Sequence, residues 1–427
     1  MIKIYQTTKD YDFLEIESKL ENNSDFDIKI NDSIQYQKII GFGGAFTESS
    51  AYIYSLLSKE NKKKFLDAYF SKDGLDYNLG RLTIGSCDFS LNEYDYLVDG
   101  KFTLDHEKQY LLPLIFDVLK YKDISFMASS WSPLAKWKDN KDKKHGGHLL
   151  NEYYKDYTSY IVTYIKEMKK LGINIDMLTI QNEPQAVQVW ESCIFSEEQE
   201  ANLALEIHNE LVKNNISLDM YIWDHNKDII VKRVKKTLSF LKDNSFINGI
   251  AYHWYDNGCN KELSKIHELY PDKKMIFTEG CIELLIFKDS TFNHALRYGI
   301  EYLNDINNFS NGFIDWNIIL DEKGGPNHAG NYCEALIQYD RQNKELIFNK
   351  SYYFVKHFSH FIKDNSIRIN NINNTDIKIC SLKNTNNEII VILINQSDEK
   401  YVKININNKV FGVLIKKDSI TTIVYKE

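Results

Sequence analysis

Two glutamates end apolar, strand-like runs in settings that suit proton transfer and nucleophilic attack: Glu183 in TIQNEP (179–184) and Glu279 in FTEG (277–280). One carboxyl that protonates a leaving oxygen, facing another that attacks or activates water, is the equipment for breaking a glycosidic bond. A separation of about 5 Å goes with retention of configuration, and roughly 6.5–9.5 Å leaves room for a water and goes with inversion. Other polar and aromatic residues stand at the ends of comparable runs: Arg81 and Asp88, Trp131, Asp224-His225-Asn226, His253-Trp254-Tyr255 and Asp315-Trp316-Asn317. Any one of them alone is as well explained by a satisfied structural role. Their coincidence at one end of seven runs out of eight carries the functional reading.

Those eight runs are 39–46, 77–86, 124–131, 175–183, 219–226, 247–255, 274–280 and 312–320. Longer amphipathic stretches separate them, for example 58–70, 151–172, 196–214 and 290–308. In 196–214, Ser196 and Glu200 open the first turn and Leu203, Ile207 and Leu211 keep one apolar face. Strands apolar throughout and separated by helices predict a parallel sheet with a covered outer face, and eight of them close a (β/α)8 barrel. In that fold the active site lies at the carboxyl ends of the strands, and strands four and seven face each other across the mouth. An open doubly wound sheet would want a GxGxxG turn after its first strand, and GFGGAF (41–46) lacks that spacing.

After about Gln342 the texture changes to short alternating runs at 377–382, 388–395, 401–407, 409–415 and 420–426, separated by Asn-rich turns. Period-two alternation predicts an appended antiparallel β-sandwich, which the alternating runs of the first 37 residues can join. The expected division is a catalytic barrel over 38–342 and a β-sandwich from 1–37 plus 343–427.

The motif series GFGGAFTESSAY (41–52), GRLTIGSCDFS (80–90), SSWSPLAKW (129–137), TIQNEP, AYHWY (251–255), FTEG, DWN (315–317) and GGPN (324–327) resembles glycoside hydrolase family 30, in order, over about residues 38–360. The resemblance implies a retaining β-glycosidase, with Glu183 as acid/base and Glu279 as nucleophile. It makes Asn182 the partner of the sugar 2-hydroxyl, Asp88 and Trp131 hydroxyl ligands, and Trp316 the platform beneath the ring. Tyr255, His253 and Arg81 are then expected around the nucleophile, and Asn331 at the rim, although its neighbours His328, Ala329 and Gly330 depart from the family pattern. Arg81 is expected to hold Glu279 ionised, while Glu183, amid less positive charge, keeps the higher pKa of an acid. Terminal β-glucosyl is the expected specificity. Another sugar or linkage (β-1,6-glucan, β-xyloside, β-fucoside or β-1,6-galactan) is the alternative, set by mouth loops 92–103, 138–150, 185–195, 256–262 and 281–290. A catalytically inactive carbohydrate binder is the reading from a different class, and the presence of both glutamates argues against it.

The 427 residues carry 52 Lys+Arg against 60 Asp+Glu, a net charge of −8 that argues against a nucleic-acid partner. No run approaches the roughly eighteen apolar residues of a membrane span. Six cysteines without CxxC or Cys/His spacing read as free, mostly buried thiols. With an N-terminus lacking a signal-peptide pattern, they point to a cytoplasmic protein if that start is native, and a secreted protein whose leader has been removed would read the same. The chemistry calls for no metal or cofactor, and the expected partner is a carbohydrate or glycoside substrate.

Overall fold

The computed structural model describes residues 1–21, 25–256 and 258–427. Eight parallel strands close into a barrel in chain order: β1 (Gly41–Phe46), β2 (Leu79–Thr83), β3 (Ser125–Ser129), β4 (Ile175–Thr179), β5 (Asp219–Asn226), β6 (Ile247–His253), β7 (Lys274–Glu279) and β8 (Gly312–Asn317). The helices between them are α1 (Glu48–Leu56), α2 (Lys59–Phe70), α3 (Leu111–Tyr121), α4 (Tyr154–Lys170), α5 (Glu197–Lys213), α6 (Ile230–Ser239), α7 (Lys261–Leu269), α8 (Thr291–Asn307) and α9 (Lys350–Ser359). The helix starts follow from the sequence. Thr47, Ser58, Ser196 and Ser290 each turn a side-chain oxygen onto a backbone N–H of the first turn, and Ser196 with Gln199 completes a capping box. Glu200, in the first turn of α5, is buried. It accepts from Arg233, Thr237 and the Trp223 backbone, tying α5 to α6 and β5.

Leu79, Met127, Met177, Tyr221, Ala251, Ile276 and Ile314, one from each of seven strands, pack into an apolar layer inside the barrel. That layer fills the barrel interior, and the active site of this fold lies beyond it at the carboxyl ends of the strands. The helix that follows β8, α9, lies past residue 342 and packs against α8.

Beside the barrel, the strands Ile2–Thr7 and Ile28–Ile39 join six C-terminal strands and two short edge strands in one ten-stranded sheet. All its pairings are antiparallel except Ile28–Ile39 with Lys400–Ile406. Residues from both ends of the sheet, such as Ile4, Ile28, Val391, Ile404 and Val413, share one core, so its halves fold over each other. The strand Ile389–Asn395 is buried along its whole length. Ile389, Val391 and Leu393 enter the core within the sheet, whereas Ile390, Ile392 and Ile394 join the barrel core. Gly299 on α8 lets α9 and the sheet pack close: a Cβ there would meet Phe354 at 2.9 Å and Ile394 at 3.1 Å. One strand, Ser366–Asn373, has no counterpart among the expected runs. It pairs with Ile28–Ile39 through the Asn-rich segment that reads as a turn.

Candidate active site

Period-two alternation carries each strand from the apolar layer to one further inward residue before it ends. Arg81, Ser129, Thr179, His253 and Thr278 occupy that position, so the second layer is polar. On β5 the same rule would point Trp223 inward, but Trp223 and Asp224 both have positive φ (78° and 54°), and the register with β6 slips by one residue between Trp223 and His225. This bulge packs Trp223 into the outer core and gives Asp224 to the interior. Register slips of the same kind leave Thr278 and Trp316 without a partner at the ends of β7 and β8. Irregular strand ends therefore aim the side chains of the mouth.

Arg81 is fully buried and uses every donor of its guanidinium. Nε donates to Ser129 Oγ at 3.1 Å. Nη1 donates to Glu279 Oε2 at 2.8 Å and to the Thr278 carbonyl at 3.2 Å. Nη2 donates to Asn182 Oδ1 at 2.9 Å and Asp224 Oδ2 at 2.8 Å. Asp224 also accepts from Thr179 and Thr278, both at 2.6 Å. Burial pushes the Asp224 carboxyl up, but Arg81 and His253 outweigh it and hold the group well below the usual carboxylate range. An ionised Asp224 obliges His253 Nε2, 3.1 Å away, to donate. His253 Nδ1 lies 3.2 Å from Glu183 Oε1. Burial works against charging this ring, yet Glu279, Asp224 and Glu183 together raise its pKa to about 9.

The two glutamates differ in their neighbours. Glu279 accepts from Arg81 at one oxygen and from the Tyr255 hydroxyl, at 3.1 Å, at the other. Glu183 has His253 at 3.2 Å and His225 Nδ1 at 3.5 Å. Burial raises the Glu279 carboxyl, helped by Glu183 and Asp224 and opposed by His253 and Arg81, and the net direction is upward. Burial also acts on Glu183, but His225 and His253 pull its carboxyl below the ordinary value. The expected order, with Arg81 holding Glu279 ionised and Glu183 keeping the higher pKa amid less positive charge, is thereby corrected: two imidazoles flank Glu183 and lower its carboxyl, whereas burial raises that of Glu279.

Both carboxyls open into a pocket of about 260 Å³ whose wall also includes Asp88, Trp131, Asn182, Tyr255, Trp316 and Asn331. Trp131 and Trp316 stack on each other, ring centroids 5.3 Å apart, and Arg81 lies against the Trp131 ring at 4.7 Å. Asn331 donates to Asp88 Oδ2 at 3.1 Å. Asp88 Oδ1 is buried with no hydrogen-bond partner among the described residues. Burial, reinforced by Glu279, raises the Asp88 pKa to about 8. Leaving such an oxygen unpaired costs about 1–3 kcal/mol, which a ligand hydroxyl would recover.

Of the ten residues singled out in the sequence, nine meet in this pocket or, as Arg81, directly behind it. His253 stands behind Glu183, fully buried, with both nitrogens turned to carboxylates. Thr47 and Glu48 anchor loops: Thr47 donates to Asn317 at 2.6 Å, and Glu48 accepts from the Leu91 backbone at 2.9 Å. His328, which departs from the family pattern, bonds the Ser90 carbonyl at 2.9 Å and lies 3.2 Å from Glu191, clamping the loop that carries Asn331. The role of Asp224 escaped sequence reasoning because alternation points to Trp223. Gln188, Trp190 and Glu283 also line the pocket, from loops whose paths no periodicity describes. Asn257, in the mouth loop 256–262, lies outside the described residues.

Among the described residues, Glu183, His225 and His253 also form a group with ligand atoms close enough to hold a metal ion. The pair of carboxyls with its proton-bearing neighbours suits acid–base and nucleophilic work on a sugar ring. Residues 39–362 match the family description "Glycosyl hydrolase family 30 TIM-barrel domain". The chain is 27% identical to the putative glucosylceramidase 4 of Caenorhabditis elegans, over 93% of this chain and 83% of that one. The crystal structure of SrfJ from Salmonella typhimurium matches with a TM-score of 0.95 at 31% identity, covering 100% of both chains. The endo-β1,6-glucanase BT3312 matches with a TM-score of 0.91 at 27% identity, covering 100% of this chain and 99% of that one. The chain belongs to glycoside hydrolase family 30 and is a retaining β-glycosidase.

Proposed function

We infer that the chain removes a terminal β-glucosyl unit, with Glu279 as nucleophile and Glu183 as acid and base. The observation that carries this reading is the unequal fixing of the two carboxyls. Glu279 is held at both oxygens by Arg81 and Tyr255. Glu183 instead shares a proton with His253 across 3.2 Å. That proton on His253 makes an ion pair; on Glu183 it makes a carboxylic acid beside a neutral imidazole. The two forms carry the same net charge, so Glu183 can be armed without a proton from bulk water. Glu279 then attacks the anomeric carbon as the proton passes to the leaving oxygen, giving a glycosyl ester on Glu279. In the second half, Glu183 takes a proton from water, and the water oxygen displaces Glu279.

Asn182, whose Oδ1 is occupied by Arg81, has its NH2 available for the sugar 2-hydroxyl. Asp88 and Trp131 bind the remaining hydroxyls, and Trp316 lies against the ring. The pocket is smaller than the roughly 300–1,000 Å³ of drug-sized sites, which favours one terminal ring over a chain. Glucose is favoured because glucosylceramidase and β1,6-glucanase are the activities in the names of similar proteins.

An aryl β-glucoside is the test substrate. Turnover should collapse in Glu279→Ala and return in part with azide as external nucleophile; full turnover in that variant would end the assignment. Aryl β-xyloside, β-fucoside and β-galactoside with β-1,6-glucan complete the screen. Preference for internal bonds of the glucan would replace the terminal-glucosyl reading while leaving the glutamate roles intact.

A further inference from the structure

At one corner of the pocket, the atoms around Glu183 form a second kind of arrangement. Glu183 Oε1 lies 3.2 Å from His253 Nδ1 and 3.5 Å from His225 Nδ1. All three ligating atoms fall within 4.8 Å of one another. We propose that Glu183, His225 and His253 form a binding site for a zinc-type divalent cation, whose occupancy blocks hydrolysis reversibly.

Three features carry the proposal. The spacing fits: tetrahedral zinc with bonds of about 2.0–2.1 Å sets its ligands roughly 3.4 Å apart. Two of the three edges are already near that length, and the third lies within 4.8 Å. The second feature is the support behind His253. Its Nε2 donates to Asp224 Oδ1 at 3.1 Å, and Asp224 is itself fixed by Arg81, Thr179 and Thr278. A carboxylate that accepts from one imidazole nitrogen orients the other toward a metal and raises its basicity, as in carboxylate–histidine–zinc sites. The third is His225. Its Nδ1 is buried and has no hydrogen-bond partner among the described residues, although it faces the Glu183 carboxylate. A cation between them would satisfy both groups.

Two imidazoles and one carboxylate select zinc, copper or nickel over magnesium or calcium, which prefer all-oxygen shells. Glu183 and His225 both line the pocket, so the fourth ligand position faces the space where the sugar enters. A cation there ties up Glu183 and stands in the path of the leaving group. Cation binding rests on this geometry alone. Inhibition rests also on the role proposed for Glu183.

Zinc takes the place of the Nδ1 proton of His253, which is released to solvent, so calorimetry with zinc chloride on the full chain near neutral pH should show one site with about one proton released on binding. Aryl β-glucoside turnover should fall about tenfold or more in submillimolar zinc chloride and return with EDTA. Magnesium chloride at the same concentration should leave it unchanged. His225→Gln should weaken zinc binding about tenfold or more, and Glu183→Gln, which reaches the site from a different loop, should do the same. Glu279→Gln should lose turnover and keep the zinc site, so a failure of the catalytic assignment is distinguishable from a failure of this one. Cys259→Ser should also keep it, which removes the partly exposed thiol as a source. Three results would overturn the proposal: no zinc binding, zinc binding unchanged in folded His225→Gln and Glu183→Gln, or equal inhibition by magnesium. Stoichiometric binding without loss of turnover would overturn its inhibitory half.

Discussion

Two buried histidines, one at the barrel mouth and one in the seam between barrel and sheet, have the same exposure and opposite chemistry. His253 and His357 are both fully buried, and each has a partner at both ring nitrogens. His253 lies between the carboxylates of Asp224 and Glu183, so both nitrogens donate and its pKa rises to about 9. His357, on α9, lies between two hydroxyls, Thr7 at 2.9 Å and Thr422 at 2.8 Å. The Thr422 hydroxyl donates to the His357 carbonyl and the Thr7 oxygen accepts from the Phe13 N–H. Nδ1 therefore donates to Thr422, and the Thr7 O–H, which has no other acceptor among the described residues, donates to Nε2, a circuit that a neutral ring completes. Burial, with Lys356 and His360 adding to it, lowers the His357 pKa to about 3. Burial sets how much the partners matter, and the partners decide the charge. The mouth uses carboxylates to store a proton, and the seam uses hydroxyls to exclude one.

The largest effect should come from breaking the charge that defines the mouth. Asp224→Asn removes an anion from Arg81 and His253 together and leaves a buried cation short of a partner. By analogy with an oriented His–Asp pair, kcat/KM on an aryl β-glucoside should fall on the order of 10³–10⁴-fold. Thermal unfolding should show a loss of about 3–5 kcal/mol. A variant within tenfold of the unsubstituted activity would remove Asp224 from the proton-handling group. His253→Gln is the next step down. It keeps hydrogen bonding but not the proton, so kcat should fall roughly 10²–10³-fold, with a smaller change in stability than Asp224→Asn. A change in KM alone would show that His253 only shapes the pocket.

These two residues also show where the sequence is legible and where it is not. The barrel could be read because its strands are short apolar runs, and the glutamates because they end two of those runs inside an ordered motif series. Arg81 could be put on the second run from its sequence, and the family resemblance set it beside the nucleophile. Asp224 could be put at the end of the fifth run but given no role, because its inward aim depends on two successive residues at positive φ, a backbone choice that neither Trp nor Asp advertises. The strand Ser366–Asn373 was hidden for another reason: Asn is disfavoured in strands, and here long-range pairing with Ile28–Ile39 overrides local preference. Glu200 shows the same limit. Its helical position is legible, but its burial depends on Arg233 from the next helix.

The contrast between the two histidines is sharpened by pH. A ring whose folded pKa is depressed is neutral in the folded chain and protonates first in the unfolded one. Its stabilisation is therefore complete above pH ~6.5 and declines as pH falls toward its folded value of about 3. Each pH unit below 6.5 is worth up to about 1.4 kcal/mol, so about 2 kcal/mol should be lost between pH ~6.5 and ~5. His253, with a raised pKa, has the mirror dependence: its stabilisation is present below pH ~6.5 and is lost as pH rises through about 9. Denaturant titrations of the unsubstituted chain and of His357→Gln, compared across the acid range, isolate the His357 part. Parallel stability curves would mean that the seam accepts a proton after all.

The smallest effect tests the hydroxyl circuit itself. Thr422→Val keeps the shape of the residue but leaves His357 Nδ1–H and the His357 carbonyl without their partner in the seam. An unpaired buried donor costs about 1–3 kcal/mol, and the lower part of that range is expected because the backbone around the site is unchanged. Thr422→Ser, which retains the hydroxyl, should lose less than Thr422→Val. Activity per folded molecule should stay at the unsubstituted level in both, because Thr422 lies in the strand Ser419–Tyr425 of the sheet, against α9 and away from the mouth. Unfolding midpoints and active-site titration measured on the same samples separate the two quantities. If Thr422→Val lowered turnover per folded enzyme, the seam and the mouth would be coupled, and the two histidines could no longer be treated as independent sites.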